Sequence, residues 1–369
     1  MRLSHRLSAL RDRLVSNPRF QAFAERFPLT RPVARKRARA LFDLCSGFVY
    51  SQVLFACVKL GLFPLLAKAP LPHDEIARAL DLSPEATQRL LDAAVSLELV
   101  ERRGDDYGLG SLGAALIGNP AVVAMIEHHH LLYADLADPV ALLRGEAGEG
   151  ALARYWAYAG AASPAEVSVA QVTSYTGLMA ASQPMVARQV IASYDLKRHR
   201  RLMDVGGGSG AFLAAVAKEV PGLELALFDL PAVAEQARLR FAREGLSDRV
   251  SVHGGSFFGD PLPEGADIIS LVRIVHDHDD GPVLTLLRAV RRALPTGGML
   301  LLAEPMAGTP GAESVADAYF GFYLLAMGSG RARSPAELAK LLEKSGFGPP
   351  KLLPTPMPLI TRLLISQAV

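Results

Sequence analysis

Asp204-Val205-Gly206-Gly207-Gly208-Ser209-Gly210 follows directly on the apolar run Leu202 to Val205 and precedes a helix-like stretch that opens at Ala211. Strand, glycine-rich turn and helix form an arrangement in which backbone can approach a bound nucleotide-like ligand. Outward from this turn, runs of strand length recur at Leu223 to Phe228, Val250 to His253, Ile268 to Val275 and Met299 to Ala303. Amphipathic segments of helical length, Ala232 to Glu244 and Val283 to Leu294, separate them. This alternation predicts βαβ units and a largely parallel sheet, an α/β Rossmann-like domain. Ser334-Pro335-Ala336-Glu337 reads as a capping box opening a further helix, and strand-like runs lie near Leu352 and at Leu359 to Ser366.

The N-terminal half reads differently. An apolar helix is expected from about residue 40 to 66, then a helix over His73 to Leu80 and another opening at Ser83-Pro84-Glu85, where Ser can cap and Pro suits the first helical position. Leu99 to Gly108 looks like a hairpin turning at Gly104-Asp105. Helix, helix, hairpin is a winged-helix pattern. With a composition shift at Tyr194 to Arg201, the chain divides into a basic arm (1–40), a winged-helix and helical region (41–190) and the α/β domain (191–369). A chain of 369 residues, half of them hydrophobic, is long enough for two packed cores.

Composition narrows the functional classes. The arm holds ten Arg and Lys36 against Asp12 and Glu25, a balance of +9, which leaves −7 for the rest of a chain whose net charge is +2. Leu3, Leu7, Leu10 and Leu14 recur among these arginines at helical spacing, so an anionic membrane surface is favoured over nucleic acid as the arm's partner, with a solvated helical face as the alternative. No run of roughly 18 uncharged apolar residues is evident and no export signal opens the chain, so a cytoplasmic protein is expected. Cys45 and Cys57 suit buried packing in a reducing compartment.

The glycine turn also satisfies a dinucleotide fingerprint through Gly206, Gly208 and Ala211. Asp204 argues instead for S-adenosylmethionine, because a carboxylate there would oppose a pyrophosphate but attract an ammonium and a sulfonium. Asp229 ends the second strand 19 residues beyond Gly210, where it could accept hydrogen bonds from ribose hydroxyls or simply cap a helix. Ser256 and Phe257 follow the third strand at adenine distance, with core packing an equal reading for Phe257. His276 and Glu304 end the fourth and fifth strands. In an open parallel sheet ligands sit at the carboxyl ends of strands, where all of these residues converge. A neutral imidazole at His276 can remove an acceptor's proton, and Glu304 can hold its tautomer. His276, His278, Asp279 and Asp280 also form a ligand-rich run, but neighbours on one strand end rarely converge on one ion, so no metal site is expected. For the triplet His128-His129-His130 solvation or packing is the safer reading, since consecutive helical residues point about 100° apart.

At Asp204 to Gly210, Asp229, His276-Asp277 and Glu304 the sequence resembles the plant-type and bacterial small-molecule O-methyltransferases over nearly its whole length. Ser16 to Gln21, Phe27 to Pro32 and Gly47 to Leu54 look like the carotenoid-pathway branch of that family. The resemblance implies a class I methyltransferase domain behind a winged-helix dimerisation domain, a homodimer, S-adenosyl-L-methionine as methyl donor and methylation of the tertiary hydroxyl of an acyclic hydroxycarotenoid. Three positions depart from the phenolic branch: Ser256 replaces an Asp, His278 a Trp, and Ala332 a second Glu that would support the base. A phenolic or tetrapyrrole acceptor is the alternative. For a polyene, the region of Tyr155, Tyr158, Tyr175, Met179 and Met185 offers an apolar lining or ordinary core. A winged-helix nucleic-acid regulator is disfavoured, because the would-be recognition helix carries Glu85, Asp92 and Glu98 against Arg89.

Overall fold

The computed structural model describes residues 3–156 and 169–369, with side chains over 5–156 and 177–369. Tyr158 and the side chain of Tyr175 lie outside the described residues. The chain forms two compact units, Met1–Asn119 and Pro120–Val369.

The first unit opens with α1 (Leu3–Val15), α2 (Pro18–Arg26) and α3 (Arg31–Lys59). α4 (Leu62–Leu66), β1 (Leu71–Pro72), α5 (His73–Leu80), α6 (Pro84–Ser96), β2 (Val100–Arg103), β3 (Asp106–Leu109) and α7 (Ser111–Ile117) follow. The Ser83 hydroxyl accepts from Ala86 N at 3.2 Å, the expected cap of α6. β2 and β3 pair as the expected hairpin and β1 adds a third antiparallel strand, completing the wing. Leu62, Phe63, Ile76, Leu91 and Val100 form the core of this unit. Two readings of this unit change. Cys45 is exposed, and only Cys57 is buried, its thiol pushed up to about 12 by burial. Within α3 lies an 18-residue stretch long and apolar enough to cross a membrane, contrary to expectation, and 6% of it is buried. The charges that seemed to interrupt it lie at the ends of α3, from Arg31 to Arg39 and at Lys59, leaving Leu41 to Val58 with Asp43 as its one charge.

The second unit begins with α8 (Pro120–Asp135), α9 (Pro139–Leu143), α10 (Ala151–Tyr155) and α11 (Val169–Ser193). Grouped by composition with the winged helix, these helices pack instead with the elements after them. β4 (Arg201–Val205), α12 (Ala211–Glu219), β5 (Glu224–Asp229), α13 (Pro231–Arg243), β6 (Val250–Gly254), β7 (Ile268–Val272), α14 (Asp280–Ala293) and β8 (Met299–Glu304) alternate as predicted. A π-helix (Ser314–Phe320) runs into α15 (Gly321–Met327), followed by α16 (Pro335–Glu343), β9 (Lys351–Leu353) and β10 (Arg362–Gln367). α11 lies against α12 and α13, and α8 against α15.

The sheet order is β6-β5-β4-β7-β8-β10-β9, parallel through β8, with β10 antiparallel to both neighbours. Strand residues alternate between two cores: Met203, Ile269, Leu300 and Leu302 pack on one side, Leu202, Ile268, Leu301 and Ala303 on the other. Burial of both faces explains the near-continuous apolar runs. The chain order reverses between β4 and β7, the place where such sheets bind ligands.

Candidate active site

The turn after β4 supplies one wall of the site. Gly206 adopts φ 71°, and a Cβ there would lie 2.7 Å from Ile274, so both conformation and space demand glycine. Gly206, Gly207, Gly208 and Ser209 line an open cavity. Gly210 does not: a Cβ there would collide with the Phe241 ring, which makes it a packing residue rather than a ligand contact. Asp204 is likewise absent from the lining. Its carboxylate lies beneath the turn and accepts from Ser270 Oγ at 2.6 Å, and burial raises its pKa to about 7. Its charge acts from behind Gly207 rather than by a free oxygen in the cavity.

Asp229 does line the cavity, and it is already engaged. One oxygen accepts from Gly208 N and the other from Leu230 N, each at 2.7 Å, tying the glycine turn to the end of β5. Burial raises its pKa to about 6, against the pull of those two N–H groups. Ser256 and Phe257 line the cavity too, and Phe257 also packs on the sheet core. Phe258 and His278 complete the wall. Phe258 and His278 stand edge to face at 5.4 Å, Phe257 and His278 at 5.8 Å, and burial holds the imidazole near pKa 4, neutral and ring-like in the place of the family's Trp. Glycine backbone, a ribose-height carboxylate and three apolar rings fit an adenosyl ligand. Asp229→Ala should weaken S-adenosylmethionine binding by about 1.5 to 3 kcal/mol, read by calorimetry, because hydrogen bonds to a charged acceptor are lost and the turn is untied.

β7 ends earlier than expected. Arg273 takes φ 58°, a left-handed conformation rare outside glycine, and the chain then enters a 3₁₀ turn, Val275–Asp277. The turn swings His276 next to Glu304, at the end of the adjacent β8. Glu304 accepts from Ile274 N at 3.0 Å and Val275 N at 2.8 Å through one oxygen, and its other oxygen pairs with His276 Nδ1. Nε2 of His276 lies 3.1 Å from Asp277 Oδ1, a buried oxygen without hydrogen-bond geometry to any described partner. Burial opposes a charged imidazole, but the carboxylates of Asp277 and Glu304 outweigh it and raise the pKa of His276. Burial likewise raises Asp277, to about 7. His276 is not part of the cavity lining: Asp277 and His278 are, while the His276 ring sits 5.7 Å from that of Phe320.

The segment after α15 grips this turn from behind. The buried Arg333 donates to Val275 O at 2.9 Å, His278 O at 2.7 Å and Asp280 at 2.9 Å. Ser329 Oγ donates to Asp277 O at 3.0 Å, and a Cβ on Gly330 would collide with His276 O. With Ala332 unable to orient the ring, the ring nitrogens of His276 meet Glu304 and Asp277, and Arg333 holds the backbone that carries it.

Sheet order, glycine turn and strand-end carboxylates define a class I methyltransferase. An O-methyltransferase domain model matches residues 133–348 and an O-methyltransferase dimerisation domain model residues 42–118. Demethylspheroidene O-methyltransferase of Cereibacter sphaeroides is 49% identical over 352 residues, covering 94% of this chain and 92% of that protein. Its namesake from Rhodobacter capsulatus is 43% identical over 96% of this chain and 88% of its own. Human N-acetylserotonin methyltransferase, solved with S-adenosylmethionine, superposes with TM-score 0.73 at 27% identity over 90% of this chain and 97% of that one. The mitomycin 7-O-methyltransferase MmcR gives 0.75 at 26%, over 92% and 100%. This chain belongs to the S-adenosylmethionine-dependent O-methyltransferase family and carries that family's dimerisation domain, through which it forms a homodimer.

Proposed function

We propose that this enzyme methylates the tertiary hydroxyl of an acyclic hydroxycarotenoid, with His276 as general base. The observation that carries the base is the His276–Glu304 pair. With the Nδ1 proton given to Glu304, Nε2 is left as the acceptor nitrogen. Asp277 beside Nε2 stabilises the imidazolium that forms, and its unpartnered Oδ1 offers the acceptor hydroxyl a hydrogen-bond partner. S-adenosylmethionine supplies the electrophilic methyl group when bound. Gly206 to Ser209, Asp229, Ser256, Phe257, Phe258 and His278 would hold it, with Asp204 adding negative charge behind the turn. A tertiary alcohol is a far weaker acid than a phenol, so the base must take its proton as the new C–O bond forms. Holding the hydroxyl near attack distance can supply about 7 to 11 kcal/mol of the barrier, which suits a buried base.

The acceptor reading rests on the two carotenoid-acting relatives and on the apolar cluster of Trp156, Tyr319, Phe320, Tyr323 and Met327 beside His276. Tyr155 and Met179 join this cluster; Met185 does not. The test is kcat/KM for a 1-hydroxy acyclic carotenoid against small phenols, with and without chelator. The carotenoid should win and chelation should change nothing, because an imidazole rather than a cation activates the oxygen. A phenol that outperforms it, or activity lost to chelator and restored by magnesium, contradicts the reading.

The arm suits the same acceptor. Leu7, Leu10, Leu14, Phe23, Phe27 and Leu29 are exposed among its arginines, a face fitted to an anionic membrane, while the exposed Leu44 and Phe48 of α3 lie inside the dimerisation domain and suit a second copy. Association with anionic vesicles should fall as salt rises, each basic residue near the surface contributing about 1 kcal/mol at most. Equal sedimentation with neutral and anionic vesicles would refute the membrane role.

A further inference from the structure

His128 and His129 of α8 both leave the helix for phenols on one neighbouring segment. His128 Nε2 lies 2.8 Å from Tyr323 Oη, and His129 Nε2 lies 2.8 Å from Tyr319 Oη. His130 is exposed and bonds only Glu127 O. Adjacent residues on α8 can reach Tyr319 and Tyr323 together because those tyrosines straddle the junction where the π-helix gives way to α15, and π-turns concentrate at functional sites. Between them sits Phe320, 5.1 Å from the Tyr319 ring, 6.4 Å from that of Tyr323 and 5.7 Å from that of His276. Trp156 and Met179 border the site cavity and also pack in the cluster of Tyr323 and Met327, so that cluster and the cavity share a wall.

We propose that the pairs His128–Tyr323 and His129–Tyr319 are a specificity device: they engage the two phenol oxygens and the facing imidazole Nε2 atoms with each other, so the wall beside His276 turns ring faces toward an acceptor. An unpaired phenol or imidazole there would welcome a polar acceptor and leave a buried polar atom unsatisfied against an apolar one. Paired, each phenol oxygen meets an imidazole Nε2 that burial keeps neutral, His128 near pKa 4 and His129 below its ordinary value, and the Tyr319 hydroxyl also lies 3.7 Å from Met125 Sδ. The same two bonds fix Phe320 against His276.

The proposal rests on the apolar-acceptor reading, which wild-type turnover of the hydroxycarotenoid tests separately. The device itself is tested by a cycle at the half-buried pair: His129→Leu, Tyr319→Phe and both together, each assayed with the hydroxycarotenoid, or with whichever acceptor the wild type methylates, and with a small phenol. Each single variant should lose about 5- to 100-fold in kcat/KM for the apolar acceptor while losing less, or gaining, with the phenol. The double variant, with no polar atom left on either side, should recover to within about 3-fold of wild type. Thermal unfolding and S-adenosylmethionine binding separate loss of fold from loss of selectivity in the single variants. A double variant no better than the singles, one that fails to fold, or single variants that slow both acceptors equally would overturn the proposal.

Discussion

His276→Ala is expected to lower kcat by roughly 10²- to 10⁴-fold while calorimetric affinity for S-adenosylmethionine stays close to wild type. The separation follows from position: the ring faces Phe320 and the carboxylates of Glu304 and Asp277, whereas the lining of the adenosyl cavity comes from other residues. In the wild type the base must be neutral to act. Because the flanking carboxylates raise its pKa, activity should fall as pH drops through a value above the ordinary imidazole pKa of 6.5. Undiminished turnover in the alanine variant would remove His276 as base.

Glu304→Gln should cost about 10²- to 10³-fold in kcat although it is nearly isosteric. The carboxylate accepts on both oxygens, from Ile274 N and Val275 N through one and from His276 Nδ1 through the other. An amide can accept on only one side. If its NH₂ meets the turn, two backbone donors lose their acceptor; if it meets His276, the ring must accept at Nδ1 and carry its proton on Nε2, where the base lone pair is needed. Loss of one carboxylate also weakens what raises the imidazole pKa, so the acid limb should move to lower pH. A profile that stays in place with full turnover would show that Glu304 neither orients nor charges the ring.

Sequence pattern carried most of the fold, since glycine turn, alternating runs and hairpin are local signals. Proximity across strands was harder to read. His276 and Glu304 could be placed at adjacent strand ends, but the left-handed turn at Arg273 that shortens β7 and turns His276 inward has no backbone signature in a run of strand length, Ile268 to Val275, whose one charge is Arg273 itself. Gly210 closes the same glycine-rich turn that Gly206 opens, and the Phe241 ring behind it shows that packing demands it. Arg333 lies 57 residues from the turn it holds and looked like any exposed cation. The helices from α8 to α11 are rich in small apolar residues that suit either core, which is why composition put their boundary near residue 190 instead of at 119. The histidine triplet was read as solvated or packed, and His130 is exposed while His128 and His129 pack on Tyr323 and Tyr319, partners too distant in sequence to leave a local signal.

The most direct test of the whole account is mass spectrometry of a 1-hydroxy acyclic carotenoid incubated with purified enzyme, chelator and S-adenosylmethionine bearing a deuterated methyl group. The account predicts one labelled methyl per hydroxyl, carried on oxygen as a methoxy group, with none transferred by His276→Ala at matched times. An unlabelled carotenoid, beside a phenol that takes up the label under the same conditions, would contradict it.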